Sequence, residues 1–85
     1  MKNKYYGVYA SNGLGIYTNY GKFLNDQKYM RSERIKSFKD REGAEDFAVE
    51  GFEGINGINC ELKGLQNMSE MRLNYFYFQK KGATL

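Results

Sequence analysis

The chain has 85 residues, 13 basic and 10 acidic, for a formal charge of +3; this is room for one domain with a modest core. It holds one cysteine (Cys60) and no histidine, which excludes an internal disulfide, Cys/His zinc sites and Cys–His or Ser–His nucleophile pairs. Eight Tyr and six Phe, with no Trp, give a small chain much of its burial per residue.

In chain order, Tyr5 to Ala10 predicts a strand with Tyr6 and Val8 on one face and Tyr5, Gly7 and Tyr9 on the other. Ser11 to Gly15 predicts a turn, because Asn-Gly and Gly accept positive φ at little cost. This context favours a hairpin over a phosphate-binding glycine loop. Ile16 to Thr18 continues as a second strand. Asn19 predicts an N-cap for a short helix from about Tyr20 to Gln27, with Phe23 and Leu24 inward. Lys28 to Arg31 reads as a polar loop, and Ser32 to Phe38 as a third strand. Asp40 caps a helix over Arg41 to Glu50, with Ala44, Phe47 and Ala48 as its apolar stripe and Gly51 at the C′ position.

Residues Gly54 to Asn59 predict a turn, and Ile58 to Leu62 a strand. Met71 to Phe78 is the best strand candidate of the last third, and residues 80–85 read as a tail. The order β-β-α-β-α is an α+β pattern: a small three-stranded antiparallel sheet carrying two helices, with a C-terminal β extension. The division expected is a core domain over residues 1–51 and an extension over 52–85 packed on it. Tyr17 and Phe38 are assigned to the core, and Cys60 reads as a small buried hydrophobe.

Charge is unevenly spread. Lys28 to Arg41 holds six basic residues against two acidic, and Glu42 to Glu53 holds five acidic and no basic. A local positive patch matters for phosphate contact even when the total is small; the alternative for such a run is a solvated edge. No apolar run approaches the roughly 20 residues of a membrane span, and the N-terminus lacks a long apolar stretch. The setting expected is reducing and cytoplasmic, without membrane contact.

Five short blocks then meet a known pattern: Tyr5-Tyr6-Gly7-Val8, Gly15-Ile16-Tyr17, Asn19-Tyr20, Lys36-Ser37-Phe38 and Ala44-Glu45-Asp46-Phe47. Their order and spacing resemble the hybrid-binding domain at the N-terminus of eukaryotic-type ribonuclease H, which also occurs in caulimovirus viroplasmin. The resemblance covers about residues 5–48. It implies a non-catalytic module, without cofactor or metal, that grips RNA/DNA hybrids and, more weakly, double-stranded RNA. It implies Tyr6 and Tyr20 along the sugar and phosphates of the DNA strand, Lys36 on a phosphate, and the loop Tyr29 to Glu33 facing 2′-hydroxyls in the minor groove. The nucleic-acid-binding set is then Tyr6, Tyr20, Tyr29, Ser32, Arg34, Lys36 and Ser37.

The residues themselves leave Tyr6 open between core and ligand contact, and Lys36 between a phosphate role and simple solvation. Tyr20 stands where the family pattern has Trp, and Ser37 where it has a second Lys, which implies weaker hybrid binding. No strand carries a carboxylate pair suited to two-metal nuclease chemistry. A second reading is a protein-interaction module, such as a phage or mobile-element accessory or inhibitor protein or a viroplasmin-like scaffold, that keeps the fold and binds a protein partner.

Overall fold

A computed structural model describes residues 4–57, 62–65 and 71–79. Among them the elements are β1 (Tyr5–Ala10), β2 (Gly13–Tyr17), α1 (Tyr20–Gln27), β3 (Arg34–Phe38), α2 (Arg41–Asn56) and β4 (Tyr75–Phe78). The α+β class is as expected, but the described sheet has four strands, in the order β3-β1-β2-β4 with every neighbouring pair antiparallel. The C-terminal extension therefore supplies an edge strand to the same sheet. A division at residue 51 would cut through α2.

Alternation along β1 splits the core between the two faces of the sheet. Tyr5 and Tyr9 pack with α2 against Leu14, Ile16, Ala44, Ala48, Phe52 and Tyr77. Tyr6 packs on the other face, where Val8, Ala10, Tyr17, Phe23, Met30 and Phe76 are buried beneath α1. Each face thus has its own helix. The Tyr17 hydroxyl donates to Asp26 at 2.7 Å and ties α1 down. Burial pushes the Tyr17 phenol pKa far up, and the hydrogen bond to Asp26 and its negative charge push the same way.

Several boundaries differ from the sequence expectation. β2 begins at Gly13, so the turn shrinks to Ser11 and Asn12, with Ala10 paired to Gly13. β3 begins at Arg34 because Ser32 takes a left-handed φ of 54° and interrupts the strand. Asn19 and Asp40 cap as expected, accepting from the backbone N–H of Lys22 and of Gly43. Phe23 is buried as expected, but Leu24 is 50% exposed.

α2 does not stop at Gly51. It runs on to Asn56, because Phe52 extends the buried stripe Ala44–Ala48 by another turn. Gly51 has an internal role: a Cβ there would overlap the Tyr9 ring. The helix ends at Gly57, whose φ of 91° suits glycine and whose N–H donates to the Glu53 carbonyl at 2.7 Å. The turn expected from Gly54 is helical through Asn56, and Ile58 and Asn59 lie outside the described residues.

Of the expected strand Ile58 to Leu62, only Leu62 is described, bridging Gln79; Cys60 is not among the described residues. The strand expected from Met71 narrows to Tyr75–Phe78, since Asn74 turns the chain at φ 61°. Tyr17 is fully buried, whereas Phe38 is half-buried at the margin of the α2 core.

Candidate nucleic-acid interface

Tyr20 is the first residue of α1, so the Asn19 cap fixes where its ring leaves the backbone. The ring centroid lies 5.4 Å from that of Tyr6 and 5.5 Å from that of Phe23, and Phe23 in turn meets Tyr17 edge-on at 5.9 Å. Separations and tilts of this kind are the favourable ones for aromatic pairs. Tyr20 is thus propped on a buried stack while 48% of it stays exposed.

Leu24, one helical turn on, shares its side of α1. On the sheet, Ser37 sits beside Tyr6 and Ile35 beside Val8 in the β1–β3 register. Tyr6, Tyr20, Leu24, Ile35 and Ser37 therefore share one face, at the β3 side of α1. Sequence reasoning missed Leu24 and Ile35. The signal for Ile35 was its even spacing from Ser37 along β3, which gains meaning only once the pairing with Tyr6 is known.

The same register corrects the expectation for Lys36. It pairs with Gly7, and Arg34 pairs with Tyr9; these are positions on the α2 face. The Lys36 ammonium lies 5.6 Å from the centroid of Phe38, whose ring packs on Phe47 of α2. Lys36 and Arg34 thus stand on the opposite side of the sheet from Tyr6 and Tyr20. The three-residue cluster Tyr6, Tyr20 and Lys36 is not assembled on one face. The physical reason is the period of two in a strand, under which adjacent residues cannot share a face.

The loop before β3 is held at the other end of β1. The Asn12 amide nitrogen donates to the Tyr29 carbonyl at 2.8 Å, and its carbonyl oxygen accepts the Arg31 N–H at 3.0 Å. The Ser11 N–H donates to the Arg31 carbonyl at 2.9 Å, and Met30 is buried beneath the loop. Asn12, expected only as a turn former, is thus the brace of this loop. Asn12→Ala is expected to raise amide exchange across residues 29–33 about tenfold, since two hydrogen bonds are lost. Exchange measured by NMR on the otherwise folded variant checks this.

Glu33 closes the loop by accepting from the Gln27 side-chain amide at 2.7 Å. That hydrogen bond is the main reason its carboxyl titrates below the ordinary 4.5. Its own backbone N–H and the Arg34 charge act in the same direction, against a small opposing effect of burial. A depressed pKa means that the contribution is intact above the ordinary value and is lost as pH falls through the lower folded value. Loop amides are therefore expected to lose protection below pH 4.5, and Glu33→Gln should remove that acid step.

Tyr29 and Ser32 are exposed on this loop. The Tyr29 ring, with the Lys28 ammonium 5.3 Å from its centroid, helps line a groove of about 270 Å³ shared with Lys22, Asp26, Phe76 and Phe78. That groove lies on the β4 side of α1, so Tyr29 is not joined to the Tyr6–Tyr20 pair. Among the described residues, no group of three or more His, Cys, Asp or Glu side chains could hold a metal ion.

A four-stranded sheet with one helix on each face, a tyrosine at a helix start in tilted contact with a tyrosine of the sheet and a braced loop beyond define a small α+β domain with an exposed aromatic face. The chain belongs to the Ribonuclease H1 N-terminal domain family, whose model matches residues 4–48, more than half of the sequence. Neither the curated proteins nor the solved structures give a match.

Proposed function

We propose that the chain is a non-catalytic module that binds duplexes containing RNA, with RNA/DNA hybrid preferred and double-stranded RNA second. The observation that carries this is Tyr20, half-exposed and propped on Tyr6 and the buried Phe23, in a domain of this family.

The Tyr6 and Tyr20 rings pack against sugars of one strand, with Ser37 beside them. The loop 29–33 offers the backbone groups that its own bracing does not engage, those of Ser32 among them, to 2′-hydroxyls of the other strand. From Tyr6 to Ala10, just before Ser11 and Asn12 hold the loop, β1 spans roughly 13 Å at about 3.3 Å per residue. Contacts separated by that length suit two strands across the wide, shallow minor groove of an A-like duplex. Recognition is then of backbone and shape, without base reading. Arg34 and Lys36, on the far side of the edge strand, contribute positive potential in place of a phosphate contact beside Tyr6.

Titration with a hybrid, a double-stranded RNA and a DNA duplex of the same sequence, at low and moderate salt, tests the proposal. The expected order is hybrid, then RNA, then DNA. Equal affinity for all three would remove the role given to 2′-hydroxyls, and no binding to any of them would remove the proposal.

A further inference from the structure

Asn74 lies beyond the residues that match the family, yet it reaches back to the segment that launches α1. Its side-chain oxygen accepts the backbone N–H of Thr18 at 2.9 Å and of Asn19 at 3.0 Å. Its amide nitrogen donates to the Thr18 hydroxyl at 2.9 Å. Its own N–H donates to the Ile16 carbonyl at 2.7 Å. The link from the end of β2 to the N-cap of α1 is thereby held at three residues by one asparagine.

We infer that Asn74 is a positioning residue for Tyr20; its importance for binding rests on the duplex-binding reading above. The N–H groups of Thr18 and Asn19 precede the helix and have no partner within it. One carbonyl oxygen that accepts both fixes two successive peptide planes, and with them the direction in which α1 leaves the sheet. Tyr20 follows directly, so its ring is aimed at Tyr6 by a residue of the C-terminal extension. Asn74 can do this because its backbone is left-handed, at φ 61°, a conformation that asparagine tolerates better than most residues. β4 follows immediately and is paired to β2, so the brace is itself anchored. The extension is then a working part of the site and not an appendage.

Two variants of the full chain separate this from a purely structural role. Asn74→Gly keeps the left-handed backbone and its N–H and removes only the side chain. Asn74→Asp keeps an oxygen for both N–H groups, close to a helix start where negative charge is favoured. Nuclear Overhauser contacts between the Tyr6 and Tyr20 rings, and affinity for a short RNA/DNA hybrid, are read for each.

The glycine variant is expected to lose the ring contacts and about fivefold in affinity, a fraction of what the three hydrogen bonds of the side chain contribute, and the aspartate variant to recover the ring contacts, its added charge working against the duplex. Retained ring contacts in the glycine variant would overturn the inference. If the unaltered chain binds no hybrid, the duplex reading fails, while the ring contacts still decide the positioning role. If the glycine variant does not fold, amide exchange in the unaltered chain decides: slow exchange at Thr18 and Asn19 supports the brace, and fast exchange there beside a protected α1 overturns it.

Discussion

Gly7→Val is expected to destabilise the domain by about 3 kcal/mol, at the upper end of overpacking costs. Gly7 sits in β1, paired on both sides, where the backbone of α2 comes closest. A Cβ there would lie 2.5 Å from the Ala44 carbonyl oxygen and 3.1 Å from both the Ala44 Cα and the Phe47 ring. A flexible side chain could swing aside, but a helix backbone cannot. Relief would require α2 to lift and would uncover the Ala44–Ala48–Phe52 stripe. Against a total of about 5–15 kcal/mol for a domain, this is a large fraction. It corresponds to a fall in melting temperature of about 12–24 °C at this size. Gly54 is the control: it is exposed in α2 with nothing within 4 Å of its Cβ position, so Gly54→Ala should stabilise by about 0.5–1 kcal/mol. Thermal unfolding of the two variants reads both effects. An unchanged melting temperature for Gly7→Val would mean that α2 does not lie this close to the sheet.

The second large effect is on binding. Tyr20→Ala is expected to weaken hybrid binding about tenfold, the low end of what aromatic contacts with nucleic acid contribute, since a sugar offers less than a base. The ring is half-exposed, so the fold should survive its loss. Ser37→Lys should act in the opposite direction. Ser37 lies on the Tyr6 face, and a cation there would add one phosphate contact, raising affinity and steepening the salt dependence by about one unit. Lys36→Ala, on the opposite side of the sheet, should change that slope by much less. Binding isotherms over a salt series distinguish the three. A larger slope change from Lys36→Ala than from Ser37→Lys would restore the lysine as the phosphate contact and contradict the register argument.

What could be read from the sequence was local. The period-two pattern of β1 gave the two faces of Tyr5 and Tyr6, and the side chains of Asn19 and Asp40 announced both helix starts. The grouping of Tyr6 with Tyr20 was implied by the family resemblance of the five short blocks and not by the two residues themselves. What stayed hidden depends on partners far along the chain. Gly51 resembles a helix stop until Tyr9 is found to occupy the space it leaves. The place of β4 beside β2 follows from pairing between residues about 60 apart, Gly15 with Phe76. Lys36 and Ser37 are neighbours in a short motif, and nothing local tells which faces Tyr6. A shift of one residue exchanges them. Asn12 looked like an ordinary turn residue and Asn74 like one more position of the strand expected from Met71, since their hydrogen-bond partners lie 17 and 56 residues away.

A chemical-shift titration of the labelled chain with a short RNA/DNA hybrid tests the central claim most directly. The largest changes are expected at Tyr6, Tyr20, Ile35, Ser37 and the loop 29–33, with the outer face of α2 (Glu42, Asp46 and Glu50) unmoved. Changes centred on α2, or a spectrum that does not respond at saturating hybrid, would contradict it.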